Sequence, residues 1–185
     1  FANRQDGVKL RECIDNDGHN VDAIDGLILP LPVILGTLME STDDSIATAK
    51  ESVSVTRQSR AVESYIGDMV SLLRGIILDG KSAVDVAQDV AMARYGRKLS
   101  GHDNDPVVAC YIGQNFPSLL HFAVKYPEFR SCLLANTNAG GENVHRGILL
   151  GAIVGASAGS SGIPNDLKQG LVHAAELEQE ITAFV

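Results

Sequence analysis

Apolar residues recur every three or four positions along most of this chain, which is the period of an amphipathic helix. In the clearest segment, residues 59–78, one face carries Val62, Ile66, Met69, Val70, Leu73 and Ile77. We find no segment with the alternation of apolar and polar residues that marks a half-buried strand. The pattern therefore predicts an all-α protein, a bundle of about seven or eight helices.

Small polar residues, prolines and glycines divide this pattern into elements. We expect helices over residues 31–39, 41–55, 59–78, 82–95, 117–125, 128–137 and 164–184, together with a glycine-rich helix that precedes the last one. The last helix carries Leu167, Leu171, Ala174, Leu177 and Ile181 at near-heptad spacing. Residues 1–25 are predicted to be mostly loop with a short helix at 8–14, and residues 97–106 and 157–164 are predicted loops.

The glycine-rich helix is the most unusual stretch of the sequence. Glu142 and His145 stand one helical turn apart, and four glycines follow at every fourth position: Gly147, Gly151, Gly155 and Gly159. Each glycine inside a helix costs about 1 kcal/mol relative to alanine. Close approach of a neighbouring backbone offsets such a cost, because only glycine leaves room for it. We therefore predict a buried helix, packed tightly on a neighbour, whose N-terminus faces a polar pocket.

Two other interpretations of this stretch are weaker. Its apolar and small residues, 147–162, fall short of the ~20 residues that a membrane-spanning helix needs. A dinucleotide-binding turn would need a preceding strand and G-x-G-x-x-G spacing, and the sequence provides neither. We therefore expect no membrane span and no dinucleotide fingerprint here.

Composition narrows the class of protein. The chain has 185 residues, a formal net charge of -8 and no cluster of lysine and arginine, so nucleic acid is not the expected partner. Hydrophobic residues make up 45% and aromatic residues 5%, so Ala, Leu, Ile and Val must build the core. The three cysteines are widely spaced and form no C-x-x-C motif. Together with the lack of a signal peptide, this predicts a reducing compartment such as the cytoplasm.

Residues 138–145 read Asn-Ala-Gly-Gly-Glu-Asn-Val-His. This segment resembles the ADP-ribosylglycohydrolase family, in which the motif is roughly Asn-x-Gly-Gly-Asp-x-Asp-Thr before a helix rich in alanine and glycine. Residues 114–117, Ile163-Pro164 and Thr56-Arg57 are similar to other parts of that family. The resemblance implies that the helices form an orthogonal bundle. It also implies that residues 1–185 form a single domain, the C-terminal portion of an all-α fold that an upstream segment or a second chain completes.

The same resemblance implies a chemistry. Family members remove ADP-ribose from an acceptor, so the expected partner is an ADP-ribose-like small molecule or an ADP-ribosylated substrate. They use two divalent cations, magnesium by resemblance, held by carboxylates. Here Glu142 keeps one carboxylate, whereas Val144 replaces the second aspartate and His145 replaces the threonine. Residues 42–45 spell the family's other metal motif, but that motif lies far upstream in the family, so we predict a helix N-cap instead.

The candidate site follows from these motifs. We predict a substrate pocket lined by Asn136, Asn138, Gly140, Gly141, Asn143, His145 and Arg146, with Glu142 as catalytic carboxylate and remaining metal ligand. Glu142 and His145 could bind a metal as an E-x-x-H pair, form a polar helix start, or flank a phosphate held by Arg146 and backbone N–H groups. The alternative to a hydrolase is a non-catalytic structural or interaction subunit with an eroded metal site.

The remaining histidines fit structural roles. His102, next to Asp103, falls in the polar 97–106 segment and is predicted to lie in a solvated loop. His121 and His173 fall within predicted helices and are expected to be packing residues whose polar atoms are satisfied.

Overall fold

A computed structural model of the chain describes residues 21–184, and this part is built from helices. A 3-10 helix, Ile24–Leu27, precedes α1 (Pro30–Gly36), α2 (Thr42–Ser54), α3 (Arg60–Ile77), α4 (Ala83–Tyr95), α5 (Ile112–Lys125), α6 (Phe129–Ala139), α7 (Asn143–Gly162), α8 (Asn165–Gln169) and α9 (Ala174–Phe184). The only isolated bridge within residues 21–184 pairs Ala23 with Tyr111. The all-α prediction is confirmed, and the predicted helix at 8–14 lies outside the described residues.

Serine caps set three of the helix starts. The hydroxyls of Ser41, Ser59 and Ser82 accept the backbone N–H groups of Asp44, Val62 and Asp85 at 3.1, 3.0 and 3.1 Å. These bonds satisfy donors that a helix start leaves without an intrahelical partner. The predicted N-cap at residues 41–45 is therefore confirmed.

The core lies around α3, which packs against α2, α4, α5, α7 and the 3-10 helix. The face predicted for this helix is buried from Val62 to Leu73. Ile77, at the end of the same face, is 43% exposed, although Ile76 beside it is buried.

Helix α5 starts earlier than the proline signal predicts. It begins at Ile112 and carries Pro117 inside it, whereas the sequence predicts a start at the proline itself. The Ile112 N–H donates to the Asp22 carbonyl at 2.8 Å, next to the Ala23–Tyr111 bridge. This distant pairing fixes the first turn of α5, which local sequence signals do not reveal.

Residues 157–162 are helical, so the loop predicted there is wrong. Helix α7 continues to Gly162 with a kink at Gly159, whose φ and ψ are 67° and 172°. The extension carries Ser157, whose hydroxyl accepts the Ala83 N–H at 3.1 Å. Ser157 thus caps the start of α4 from a distant part of the chain. A tertiary contact thus outweighs the local glycine and serine signal.

The C-terminal prediction of one amphipathic helix is also wrong. Residues 170–173 separate α8 from α9, and His173 has a positive φ of 62° in this turn. His173 is exposed rather than packed inside a helix. Neither helix contains a buried residue, and the near-heptad side chains are 37–64% exposed at Leu167, Leu171, Leu177 and Ile181.

The four spaced glycines of α7 have different surroundings. A methyl group built on Gly147 would lie 3.0 Å from the Asn136 amide nitrogen, and one on Gly155 would lie 3.4 Å from the Phe129 ring, so both face α6. At Gly151 and Gly159 such a methyl group would meet nothing within 4 Å. Close packing is therefore confirmed at two of the four positions. Within residues 21–184, none of the helices is both long and apolar enough to cross a bilayer.

Candidate functional site

Two glycines with left-handed φ join α6 to α7. Gly140 has φ 76° and Gly141 has φ 65°, values that L side chains rarely adopt. A methyl group on Gly141 would lie 2.5 Å from the Val108 carbonyl oxygen and 2.9 Å from the Val108 nitrogen. Glycine is therefore required at 141 by both conformation and space. We call residues 140–142 the glycine loop.

The connection between α4 and α5, residues 97–111, runs against this loop, and we call it the strap. The Val108 carbonyl accepts the Glu142 N–H at 2.9 Å, so the strap binds the glycine loop directly. Further along, the Cys110 carbonyl accepts the Ile24 N–H at 2.9 Å. The strap thus joins the glycine loop to the N-terminal part of the described chain.

Asp105 anchors the strap to α5. Its carboxylate accepts hydrogen bonds from His121 Nε2 at 3.0 Å, Lys125 Nζ at 2.8 Å and the Tyr126 hydroxyl at 2.8 Å. Burial alone would raise the pKa of Asp105, but the bonds from Lys125, His121 and Tyr126 outweigh it and lower the pKa to about 2. His121 is a satisfied packing residue as predicted, and His102 is exposed in the strap as predicted.

Glu142 and His145 form a pair at the start of α7. Glu142 is the N-cap residue, and its Oε1 accepts the His145 N–H at 3.4 Å and lies 2.9 Å from His145 Nδ1. The side chains are 20% and 41% exposed. The pair therefore combines a helix cap with a histidine that solvent reaches.

Arg146 lies beneath the glycine loop and is completely buried. Its Nε donates to Asn136 Oδ1 at 2.6 Å, and its Nη2 donates to the Gly140 carbonyl at 3.2 Å. The guanidinium carbon also lies 4.8 Å from the centroid of the Phe122 ring. Burial lowers the pKa of Arg146, and the negative charge of Glu142 opposes that shift. The guanidinium thus faces protein atoms rather than solvent.

The predicted asparagines occupy three different environments. Asn136 is buried, and its amide donates to the Asn143 carbonyl at 2.8 Å. Asn143 in turn donates to the Thr137 carbonyl at 3.1 Å. Asn138 is exposed near the end of α6. Of the predicted residues, the structure brings all eight to the α6–α7 turn, with Asn138, Glu142 and His145 accessible and Asn136 and Arg146 beneath the surface.

Sequence reasoning did not identify two polar residues of α5 that belong to this arrangement. Asn115 and Ser118 accept from Arg146 Nη1 at 3.4 and 3.2 Å. Both are buried, on the helix that also buries Phe116, Leu119 and Phe122. Two polar residues three apart in an otherwise apolar face are a sequence signal for a buried network. No comparable pattern in the sequence marks Asp105 and Val108 of the strap as residues that contact α5 and the glycine loop.

The donor set of the glycine loop does not fit a two-magnesium site. Magnesium prefers an octahedron of oxygen ligands. The loop offers one carboxylate, which caps its own helix, and Val144 is an apolar side chain that is 65% exposed where the family motif has an aspartate. No cluster of three or more His, Cys, Asp or Glu suited to a metal occurs among residues 21–184. Further ligands would have to come from another segment or chain.

A surface groove lies away from the glycine loop. A groove of about 400 Å³ is lined by residues of α2, α3 and α4 and the turn between the last two, including Asp68, Arg74, Asp79, Lys81 and Asp89. None of residues 136–146 lines it. The glycine loop thus lies outside this groove.

Comparison with known proteins gives one positive result. The family model described as ADP-ribosylglycohydrolase matches residues 4–185, nearly the whole chain. A search of curated proteins finds no match. The matched range includes the helices, the glycine loop and the pair formed by Glu142 and His145. This chain therefore belongs to the ADP-ribosylglycohydrolase family.

Proposed function

We propose that the chain binds ADP-ribose, or a related nucleotide sugar, at the glycine loop and hydrolyses the bond that joins it to an acceptor. One observation carries the proposal. The accessible pair of Glu142 and His145 stands at the N-terminus of α7, at the position of the motif that defines the resemblance to the family. The family supplies the class of ligand, and the pair supplies groups that can act on water.

The chemistry of the pair favours His145 as the proton acceptor. An ionised carboxylate only accepts hydrogen bonds, so the 2.9 Å contact with Glu142 assigns the hydrogen to His145 Nδ1. The Nε2 atom is then free to accept a proton from water. The water oxygen bonds to the anomeric carbon as one water proton passes to His145 Nε2, and the bond from that carbon to the acceptor breaks. The leaving acceptor takes a proton from solvent, and His145 later returns its own proton to solvent. General-base catalysis of this kind contributes roughly 10²–10⁴-fold.

The start of α7 suits an anionic ligand. The dipole of a helix attracts negative charge to its start, and the diphosphate of ADP-ribose carries such charge. The N–H groups of Asn143 and His145 already donate to Gly141 and Glu142, so the dipole rather than these two groups attracts the ligand. Asn138 is exposed beside this helix start and offers an amide to the ligand. We propose that residues 1–185 act as one unit, with an upstream segment or a second chain completing the pocket and supplying any further ligands for a divalent metal.

Calorimetry with ADP-ribose and release of ADP-ribose from modified acceptors test this proposal. We expect Glu142→Ala to lose hydrolysis, because His145 loses the partner that orients its ring. Glu178→Ala is the matched control, since Glu178 is exposed on α9. Unchanged turnover in Glu142→Ala would remove Glu142 from the mechanism. Metal analysis of the purified chain, with turnover measured in chelator, tests whether a cation takes part.

An outer apolar strip on α7 supports the second candidate, a non-catalytic interaction subunit. Val144 and Ile148, one turn apart, are 65% and 45% exposed, and Gly151 adds no side chain to cover them. Such a strip suits contact with another protein surface. If the complete polypeptide neither binds ADP-ribose nor hydrolyses its conjugates, this role is favoured over the enzyme.

A further inference from the structure

Arg146 is a buried cation that has no carboxylate among its hydrogen-bond partners. Its guanidinium donates to the side chains of Asn136, Asn115 and Ser118 and to the Gly140 carbonyl, all of them uncharged. A charge with no carboxylate in hydrogen-bond contact is costly to bury, even with Glu142 nearby. An apolar residue of similar volume would avoid that cost, so packing alone does not explain an arginine at this position.

Arg146 fixes the orientation of the side-chain amides of Asn115 and Asn136. A guanidinium only donates, so both amide oxygens must point towards it, and both amide nitrogens must then point away. The Asn136 nitrogen donates to the Asn143 carbonyl at 2.8 Å, and the Asn115 nitrogen reaches the Glu142 carbonyl at 3.4 Å. The Asn115 nitrogen also lies 3.2 Å from the Ala109 carbonyl of the strap.

We propose that Arg146 is the positioning residue of the site: it orients the amides of Asn115 and Asn136 and thereby holds the glycine loop, and Glu142 on it, in one conformation. The guanidinium reaches residue 140 directly and residues 142 and 143 through the two amides. A neutral residue at position 146 would leave both amide oxygens without this donor. The expected loss of ligand binding and catalysis rests on the proposed function, whereas the expected loosening of the glycine loop does not.

Arg146→Met tests the proposal in the complete chain, because methionine keeps much of the volume and removes every donor. We expect hydrogen exchange of residues 140–145 to accelerate roughly tenfold or more, while exchange in the centre of α3 stays slow. The affinity for ADP-ribose should fall by a similar factor. Arg130→Met is the matched control, because Arg130 also lies on the helix before the glycine loop but makes an exposed ion pair with Asp166 of α8. It should leave both measurements unchanged.

Chemical rescue separates positioning from general loss of structure. In Arg146→Ala, millimolar guanidinium, far below denaturing concentrations, should restore slow exchange in the glycine loop and ADP-ribose affinity to within a few fold of the parent. Ammonium, which lacks the planar fork, should not. Arg146→Lys should give an intermediate result.

Asn136→Asp covers the case in which Arg146 variants fail to fold. The carboxylate still accepts from Arg146 but cannot donate to the Asn143 carbonyl, so the loop should exchange faster in a folded protein. Normal loop exchange in Asn136→Asp or in folded Arg146→Met would overturn the proposal, as would a folded Arg146→Ala whose loop guanidinium does not rescue. If the parent chain does not bind ADP-ribose but the loop responds as expected, the proposed function fails and the positioning role stands.

Discussion

The N-termini of α2 and α7 look alike in sequence and differ in structure. Both follow a polar segment, and both resemble a metal motif of the same family. At α2, Ser41 caps Asp44 within one turn, and Thr42 and Asp43 are exposed. At α7, the glycine loop, the strap and the buried Arg146 surround the first turn. Carboxylates at a helix start thus differ from an ordinary cap only where segments distant in sequence pack against that start.

The largest effect should come from Gly141→Ala. The methyl group of alanine would lie 2.5 Å from the Val108 carbonyl oxygen, and the turn would hold alanine at a left-handed φ. We expect a loss of about 3 kcal/mol in the free energy of unfolding, measured by urea denaturation. Gly96→Ala is the control, since Gly96 has φ 68° with nothing within 4 Å and should cost only about 1 kcal/mol. Equal losses of stability at the two positions would mean that Val108 of the strap moves away from the added methyl group at little cost.

Asp105→Ala should cost about 2 kcal/mol, because it leaves His121, Lys125 and Tyr126 without their shared acceptor. The loss should depend on pH. The pKa of Asp105 is lowered from 3.8 to about 2 in the folded chain, so its contribution is complete above about pH 5 and disappears as pH falls towards 2. Urea titrations of parent and variant across this range measure the difference.

Asp103→Ala serves as the control for the strap anchor, since Asp103 is exposed and only its backbone carbonyl binds Lys125. A difference between parent and Asp105→Ala that stays constant from pH 5 to pH 2 would contradict the assigned pKa.

Ser41→Ala tests the ordinary helix start. It should cost about 1 kcal/mol, the usual value for losing a serine cap, with faster exchange confined to the first turn of α2. Ser64→Ala, at an exposed position inside α3, is the control and should change stability little. Loss of ADP-ribose affinity in Ser41→Ala would show that residues 42–45 belong to the site after all.

The smallest effect should be a gain. Gly151→Ala should raise stability by about 0.5–1 kcal/mol, because alanine favours the helix and meets nothing within 4 Å. Gly147→Ala should instead lose stability, since the methyl group would press on the Asn136 amide at 3.0 Å. Thermal denaturation of both variants shows whether Gly147 faces α6 closely while Gly151 faces open space.

Local signals predicted much of the fold. The caps at Ser41, Ser59 and Ser82 and the apolar face of α3 are short-range features, so their helices were located to within a residue or two. The signals failed where a distant contact decided the outcome. The pairing of Ile112 with Asp22 moved the start of α5, and the cap that Ser157 provides to α4 kept α7 helical beyond the predicted end.

The sequence by itself determined that this protein is helical, that it belongs with the ADP-ribosylglycohydrolases, and that Glu142 and His145 stand one turn apart at a glycine-rich helix start. These follow from periodicity and motif, which are local. Only the tertiary structure decided that Arg146 lies beneath the site, because its partners come from α5, α6 and the loop at once. The tertiary structure also decided at which positions glycine is required, since that depends on how much space a neighbouring segment leaves for a side chain.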